Sequence, residues 1–357
     1  MLINILLLLA GLAILVKGSD FFVRSAASIA KKFGVSEFII GLTLVAVGTS
    51  LPELASAVMS SLKGASSLVI GNIIGANVAN IGLIVGIAAT MSAIRTTREM
   101  LERDGYVLLL AAALFLLFAL DLRIVWWEGA ISILLYVAYM FFLFEGKKKF
   151  KGRFGFREFS RYFFGFQYIL TIRSKLISNY RNRRKKGKGK KHLSPEQQKE
   201  IKELFREGLV KDFLMLALSA GMVVLGAKYL VESAVYLAYI FRIPGTVIGV
   251  LMAIGTTAPE MSVAISAARK RLGNIIMGNA IGSCITNTFL IIGISSVISP
   301  LYLLRATVNY ALPFLLFMVM LLLFFLKSHW KVKRWEGLVF ICLYVLFLVL
   351  VMVGLLA

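Results

Sequence analysis

The sequence GTSLPE at positions 48–53 returns almost unchanged as GTTAPE at positions 255–260. Each copy is followed by a second motif, which reads GNIIGANVAN at 71–80 and GNAIGSCITN at 278–287. Equivalent positions differ by 207, so the spacing between the two motifs is preserved as well. A duplication of this kind predicts a chain made of two structural repeats.

Weaker matches extend the duplication toward both ends of each half. They are separated by 208 positions and comprise Gly18 with Gly226, Ser25 with Ser233, Gly41 with Gly249, and Trp127-Glu128-Gly129 with Trp335-Glu336-Gly337. The repeat therefore covers most of each half of the chain.

Apolar runs long enough to cross a bilayer as helices, about 20 residues each, recur along the chain. Hydrophobic residues make up 59% of the 357 positions, and the mean hydropathy is +0.85. This composition argues against a soluble domain. The breaks between runs predict ten membrane helices, at 2–30, 36–61, 66–93, 104–120, 124–144, 210–240, 245–268, 273–298, 306–326 and 335–356.

The formal net charge of +22 raises the question of nucleic acid as a partner, and the position of the charges answers it. Of the 40 Lys and Arg residues, 21 lie in the polar segment 145–212, against 7 Asp and Glu. The positive-inside rule makes this segment cytoplasmic, and ten helices then place both termini outside. The loops then assigned inside carry Lys31, Lys32, Arg95, Arg98, Arg103, Arg269, Lys270, Arg271, Lys327, Lys331, Lys333 and Arg334, whereas those outside carry only Lys63, Arg123, Arg242 and Arg305. We therefore expect a multi-pass protein of the cell membrane with no nucleic-acid partner.

Five helices per copy is an odd number, so the second copy enters the membrane in the opposite sense from the first. The predicted fold is an all-α integral membrane protein with ten transmembrane helices arranged as two inverted-topology five-helix repeats. The predicted domains are a first repeat at 1–144, a basic cytoplasmic loop at 145–209 and a second repeat at 210–357. The two motifs of the first repeat lie within 36–93, and those of the second repeat lie within 245–298. A pseudo-twofold axis in the membrane plane brings equivalent residues together near the midplane.

The basic loop divides into parts of different character. The aromatic and basic stretch at 153–175 is typical of a segment that lies on the membrane surface, and its charge is compatible with anionic lipid. Positions 176–193 are expected to be a solvated linker. A short helix is predicted from Pro195 to about Arg206, with Ser194 and Gln197 as its capping box.

Glu53 and Glu260 lie in otherwise apolar helices, where an ionised carboxylate without a partner costs at least about 2.5 kcal/mol. Symmetry makes them neighbours, and two carboxylates in a low-dielectric site do not both ionise readily unless a cation lies between them or one is protonated. One divalent cation bound between the two carboxylates would neutralise both charges.

The surrounding residues supply the oxygen ligands that calcium and sodium prefer. Hydroxyls come from Thr49, Ser50, Thr256 and Thr257, carbonyls from Ala46 and Ala253, and amides from Asn80 and Asn287. The carbonyls are expected to become free because Pro52 and Pro259 have no N–H and break their helices. The glycine pairs of the second motif, at 71 and 75 and at 278 and 282, let that helix approach its neighbour closely.

Other polar residues carry weaker signals. Asp20 and Lys228 fall at equivalent positions, as do Arg24 and Glu232, and two interpretations stay open for them: structural or snorkelling charges, or an influence on gating. Cys284 and Cys342 are expected to be inert thiols. No metalloprotease motif, phosphate-binding loop or nucleophile elbow is present, so neither an enzyme nor a cofactor is expected.

The two pairs of motifs closely resemble the alpha repeats of sodium/calcium exchangers in the cation/calcium antiporter superfamily, particularly its compact prokaryotic members. The resemblance covers essentially all ten helices and leaves out 145–212. It implies clustered cation sites in which calcium is held mainly by Glu53, Glu260, Thr49 and Thr256. It also implies sodium sites that add Ala46, Ser50, Asn80, Ala253, Thr257, Ser283 and Asn287, and a first and sixth helix that slide to alternate access.

Two residues depart from the family pattern, since Asn287 stands where Asp is common and Ala76 where Ser is common. The loss of a titratable group and a hydroxyl is expected to reduce the number of sodium ions bound or to shift the coupling toward protons. The function expected is exchange of Ca²⁺ for Na⁺ by alternating access. Exchange of Ca²⁺ for H⁺ is the nearer alternative, and a passive cation channel is a more distant one.

Overall fold

The computed structural model describes residues 2–32, 46–98, 100–149, 155–165 and 195–353. Its first half contains helices α1 (Leu2–Lys32), α2 (Ala46–Thr49), α3 (Leu51–Leu62), α4 (Ser66–Val78), α5 (Gly86–Met91), α6 (Tyr106–Phe118), α7 (Trp126–Lys149) and α8 (Phe156–Phe164). A π-helical segment, Ala79–Val85, joins α4 to α5, and another, Met100–Gly105, leads into α6.

The second half repeats this order. It contains α9 (Pro195–Phe241), α10 (Gly245–Thr256), α11 (Ala258–Arg269), α12 (Gly273–Ile285), α13 (Ile292–Ile298), α14 (Leu312–His329) and α15 (Arg334–Met352). Its π-helical segments, Thr286–Ile291 and Thr307–Ala311, begin at positions offset by 207 from those of the first half. The duplicated sequence thus produces duplicated local structure.

Seven helical segments in the described part of the chain are long and apolar enough to cross a membrane. They are Ile3–Ala26, Ser66–Met91, Trp126–Leu143, Gly208–Phe241, Gly273–Ile298, Thr307–Ser328 and Arg334–Met352, and the pair α10 and α11, bent by 42°, would make an eighth. The prediction of a helical, multi-pass membrane protein is confirmed. The count of ten stays a prediction, because positions 36–45 of the second predicted helix lie outside the described residues.

The helices that carry the second motif occupy the centre of the molecule. Burial reaches 94% of the apolar window in Ser66–Met91 and 72% in Gly273–Ile298, but only 22% in Ile3–Ala26 and 28% in Gly208–Phe241. The motif helices therefore form the core, whereas α1 and α9 lie at the periphery, where lipid replaces protein as their neighbour.

Glycines set the closest helix contacts in this core. A Cβ added at Gly71 would lie 2.1 Å from the Thr246 carbonyl oxygen, and one at Gly75 would lie 2.9 Å from Ala253. The predicted close approach is therefore confirmed for the first motif. The residues expected beside Gly278 and Gly282, by analogy with those beside Gly71 and Gly75, lie largely outside the described residues. The close approach is therefore not tested for the second motif.

Two short antiparallel ladders tie the halves together. Strand β1 (Ile94–Arg95) pairs with β4 (Lys331–Val332), with Ile94 opposite Val332. Strand β2 (Arg123–Ile124) pairs with β3 (Leu301–Tyr302), with Ile124 opposite Leu301. Ile94 and Leu301 are 207 positions apart, and Ile124 and Val332 are 208 apart, so the repeat offset converts one ladder into the other in register.

Side-by-side packing follows the same offsets. A Cβ at Gly86 would meet the Gly337 carbonyl oxygen at 3.0 Å, and a Cβ at Gly293 would meet the Gly129 carbonyl oxygen at 2.9 Å. Each contact joins one half to the other, and the two contacts are equivalent under the repeat. The halves are therefore interleaved in the packed structure.

The helix that follows the basic loop differs from the prediction. A short helix ending near Arg206 and a separate membrane helix from 210 were expected, but α9 runs without a break from Pro195 to Phe241. The prediction of a break is wrong, because the joining sequence is rich in Glu, Lys, Gln and Leu, which favour helix, and Gly208 alone does not end it. The predicted capping residue Ser194 lies outside the described residues.

Helix α8 is the described part of the aromatic stretch predicted at 153–175. Its aromatic face packs on protein, since Phe159 and Tyr162 are each 1% exposed. Both rings lie 5.6 Å from the ring of Phe142 in α7, measured between centroids. The location of this helix at the membrane surface stays a prediction, but its apolar side is used to dock on the bundle.

Candidate cation site

Both helices that carry the first motif break at the same point of the repeat. Ser50 separates α2 from α3, and Thr257 separates α10 from α11. Pro52 and Pro259 lie in the first turn of the helix that follows each break. Proline is tolerated there because a first-turn N–H has no intrahelical acceptor. The predicted helix breaks are confirmed.

The breaks place Glu53 and Glu260 in the first turns of α3 and α11. The exposed fraction is 0% for Glu53 and 1% for Glu260, and the two carboxylates lie close enough to repel each other. The partial positive charge of each helix N-terminus offsets part of the cost of burying a negative group. The prediction that the two acids face each other in the interior agrees with this arrangement.

Hydroxyl groups from both halves surround Glu260. Ser50 donates to Glu260 Oε1 at 3.4 Å, and Ser283 donates to the same oxygen at 3.3 Å. Thr49 also lies beside this carboxylate. The second oxygen, Oε2, is buried and has no hydrogen-bond partner.

Glu53 has a poorer set of neighbours. Neither of its carboxylate oxygens has a hydrogen-bond partner. Thr256 lies beside it without hydrogen-bonding geometry and donates instead to Asn72 Oδ1 at 3.3 Å. The position equivalent to Ser283 is Ala76, which has no hydroxyl to offer, and the equivalent of Ser50 is Thr257, which donates to the Ala253 carbonyl oxygen instead.

The two predicted asparagines lie in the π-helical segments of the second motif. Asn80 is fully buried, and neither its amide oxygen nor its amide nitrogen has a partner. Asn287 donates from Nδ2 to Asn77 Oδ1 at 3.1 Å and keeps its own Oδ1 unpartnered. π-Helical turns inside α-helices are frequent at functional sites because they re-aim side chains.

The remaining predicted ligands are held near these groups or on the same short helices. Thr257 donates to the Ala253 carbonyl oxygen at 2.8 Å, which leaves the hydroxyl oxygen of Thr257 free to accept. The same carbonyl accepts from Thr256 Oγ1 at 3.4 Å and from the backbone N–H of Thr257 at 3.0 Å. The prediction that the break frees this carbonyl is therefore wrong, because α10 keeps its backbone hydrogen bonding up to Thr257. Ala46 is the first residue of α2, and its part in binding stays a prediction.

Five buried oxygens of this cluster lack a partner: both carboxylate oxygens of Glu53, Oε2 of Glu260, and Oδ1 of Asn80 and Asn287. An unsatisfied buried polar group costs about 1–3 kcal/mol, so five of them on the repeated motifs require an explanation. Carboxylate, hydroxyl and amide oxygens are the ligands of hard cations. These residues are therefore the candidate cation site, and the described part of the chain contains no group of three His, Cys, Asp or Glu side chains that could hold a metal.

Sequence reasoning missed two polar residues that organise the site, Asn72 and Asn77. Asn72 accepts from Thr256 and donates to Ser56 Oγ at 3.1 Å. Asn77 donates to Thr288 Oγ1 at 2.9 Å while it accepts from Asn287. Their presence in the repeated second motif was the available signal, but only the packed structure turns these side chains toward the ligands.

The comparisons with known proteins bear on this arrangement. A model of the family described as sodium/calcium exchanger protein matches residues 3–145 and 211–353. The chain belongs to the sodium/calcium exchanger family. The matched ranges leave out 146–210, which agrees with the expectation that the basic loop lies outside the resemblance.

Relatives of this family cover almost the whole chain. The sodium/calcium exchanger MaX1 of Methanosarcina acetivorans is 47% identical over 348 residues, 97% of this chain and 98% of its own. An uncharacterized membrane protein of Methanocaldococcus jannaschii is 28% identical over 342 residues, 95% and 94% of the two chains. A solved structure of the sodium-calcium exchanger NCX_Mj, soaked with Na⁺ and Sr²⁺, matches with a TM-score of 0.57 and 27% identity over 98% of each chain. These relatives are exchangers and membrane proteins, in line with the expectation that the chain is not an enzyme.

Proposed function

We propose that the protein is a secondary active antiporter that exchanges Ca²⁺ for Na⁺ by alternating access at the Glu53 and Glu260 site. The observation that carries the proposal is the cluster of five unpartnered buried oxygens centred on two carboxylates. The names of its relatives MaX1 and NCX_Mj support the choice of ions.

Charge balance explains why the two ions exchange. One Ca²⁺ neutralises both carboxylates, and two Na⁺ ions do the same, but both kinds of ion together would leave an excess positive charge in a low-dielectric site. Binding of one ion therefore displaces the other. This competition at a single site couples the two fluxes.

The ten-helix inverted repeat is part of the proposal. It is supported by the two equivalent ladders, each of which joins loops that the charge pattern assigns to the same side of the membrane. The pair β1 and β4 lies at the side assigned to the cytoplasm, and β2 and β3 at the side assigned to the exterior. On this arrangement both termini lie outside and the loop at 145–209 separates the repeats in the cytoplasm, where its charge suits anionic lipid.

The test is uptake of radioactive calcium into proteoliposomes that hold the purified protein. A sodium gradient at clamped pH is expected to drive uptake, and Glu53→Gln is expected to abolish it because a neutral amide replaces one of the two carboxylates. Glu102→Gln is the matched control, since Glu102 forms a surface ion pair with Arg98 at 2.6 Å and should transport normally. Normal transport by Glu53→Gln, or no response to sodium, would reject the proposal.

A second candidate is exchange of Ca²⁺ for H⁺, and one observation favours it. Ala76 leaves Glu53 without a hydroxyl donor, and Asn287 brings no titratable group to the site. Fewer sodium ligands make protonation of a glutamate a more effective way to release calcium. In the same vesicles, a proton gradient without sodium distinguishes this function from the first.

A further inference from the structure

A cavity of about 570 Å³ opens beside the site on one side of the molecule. It lies between α1 and α11, and it reaches from Thr49 and Pro259 at the site to Lys270 at the end of α11. We call it the vestibule. It reaches Thr49 and Pro259, next to the carboxylates, which are themselves buried.

The equivalent surface on the other side of the molecule is packed. Four residues of the first repeat, Leu51, Ala55, Met59 and Ala65, pack against the apolar cluster formed mainly by α9. Their equivalents at an offset of 207, Ala258, Ser262, Ser266 and Leu272, all line the vestibule. The same face of the repeat is therefore packed in one copy and open in the other, and the sequence follows this difference, because Ala55 and Met59 correspond to two serines.

The charged residues at the ends of these two faces also differ between the packed side and the vestibule. On the packed side Lys63, the residue that ends α3, forms an ion pair with Glu232 of α9, with 2.8 Å between Nζ and Oε1. The equivalent of Lys63 is Lys270, which ends α11, and the equivalent of Glu232 is Arg24 of α1. Both Lys270 and Arg24 line the vestibule and carry the same charge.

We propose that the Lys63–Glu232 ion pair and the apolar packing around it hold one mouth of the transporter closed, and that repulsion between Arg24 and Lys270 keeps the opposite mouth open. The proposal rests on the inverted repeat and alternating access proposed above. It makes these four residues positioning residues, because they bias which side of the membrane the site faces without touching the ion.

Asp20 and Lys228 are a second equivalent pair of charged residues on these helices. Asp20 lines the vestibule one helical turn from Arg24, and Lys228 lies one turn from Glu232. The order is acid then base on α1, Asp20 and Arg24, but base then acid on α9, Lys228 and Glu232. If the vestibule closed as the packed side does, residue 24 would meet Lys270 in the way that Glu232 meets Lys63. The sign of the charge at position 24 therefore decides whether closure of the vestibule is opposed.

Accessibility of single cysteines tests this inference directly. Met59→Cys and Ser266→Cys are equivalent positions on the packed face and in the vestibule. Each is made in a Cys342→Ala background that keeps the buried Cys284, and the protein is placed in nanodiscs, where both faces meet solvent. The rate of alkylation by N-ethylmaleimide, a neutral reagent, is measured in sodium buffer. Ser266→Cys is expected to react at least about tenfold faster than Met59→Cys.

Charge variants then test the four residues. Glu232→Gln and Lys63→Gln are each expected to speed alkylation of Met59→Cys about 1.5- to 5-fold, the effect of losing a partly exposed ion pair, and the double variant is expected to add nothing further. Arg24→Glu is expected to slow alkylation of Ser266→Cys by a similar factor, because it places a carboxylate opposite Lys270. Adding Lys270→Gln to Arg24→Glu is expected to restore the fast rate. A purely local effect of charge on thiol reactivity predicts the reverse, since a second loss of positive charge would slow the thiol further.

Equal rates at the two reporter cysteines would overturn the inference. So would charge variants that leave both rates unchanged, or an Arg24→Glu effect that Lys270→Gln does not reverse. The readout is independent of the ion transported, so failure of sodium-driven calcium uptake with the expected alkylation pattern would reject the proposed function and leave this inference standing.

Discussion

The hydroxyl of Ser283 is the clearest difference between the surroundings of the two glutamates. It donates to Glu260 Oε1 at 3.3 Å, whereas the equivalent Ala76 offers nothing to Glu53. Ser283→Ala removes this donor, and Ala76→Ser supplies one to the other acid. The two substitutions change the same chemical group in opposite directions at equivalent places.

A hydrogen bond to a charged group contributes about 1.5–3 kcal/mol net, and a distance of 3.3 Å favours the lower end of that range. About 1.4 kcal/mol corresponds to a tenfold change in an equilibrium constant. Ser283→Ala is therefore expected to raise the calcium concentration for half-maximal uptake about tenfold. Ala76→Ser is expected to lower it, by up to the same factor, if the serine reaches Glu53 as Ser283 reaches Glu260.

The assay is the concentration dependence of sodium-driven calcium uptake, together with thermal unfolding of each variant. Unfolding matters because Ala76 is fully buried and an added hydroxyl takes up space in a packed interior. Thr288→Ser is a suitable control, since it removes only a methyl group and keeps the oxygen that accepts from Asn77. Shifts of the same sign for Ser283→Ala and Ala76→Ser, at unchanged unfolding temperature, would refute the assignment of these two positions.

Three further predictions concern packing and positioning. Gly71→Ala is expected to destabilise the protein severely, because the added Cβ would lie 2.1 Å from a carbonyl oxygen. Gly221→Ala is expected to stabilise it by about 0.5–1 kcal/mol, because no atom lies within 4 Å of the added Cβ. Thermal unfolding of the two variants compares them directly. Phe159→Ala is expected to destabilise the docked helix α8 by about 3–5 kcal/mol, seen as faster proteolysis of the loop, and a normal proteolysis rate would argue against docking. Asn77→Ala is expected to weaken calcium binding more than stability, because it removes the acceptor that orients Asn287; an unfolding temperature that falls while uptake is unaffected would contradict this role.

The burial of two acids in the interior could be predicted from the sequence, whereas their role as cation ligands stays a prediction. Glu53 and Glu260 are ionisable groups in apolar helices, and the repeat supplies the reason why they meet. The helix breaks followed from Pro52 and Pro259. The cost of a charge in an apolar helix and the helix-breaking effect of proline are both local rules, and no tertiary contact opposes them here.

Other features depended on contacts that the sequence pattern does not encode. Asn72 and Asn77 were visible in the motif, but their roles come from neighbours far away in the sequence, Thr256 and Asn287. The unbroken α9 reflects the summed helix preference of a charged segment, which no single residue interrupts. A hydropathy reading places a boundary where polarity changes, although the helix itself continues.

An inverted repeat predicts equivalent environments for equivalent residues, and the differences from that expectation carry the mechanism. A transporter with two identical halves would have no preference for facing either side, because both faces would pack equally well. Here serines stand in place of the apolar Ala55 and Met59, and Lys63 pairs with Glu232 whereas the equivalent residues, Lys270 and Arg24, are both positive. On the mechanism proposed above, each change lowers the stability of the closed vestibule relative to the closed opposite face. The symmetry would then provide two states of comparable energy, with these asymmetric side chains setting which of them the empty protein occupies.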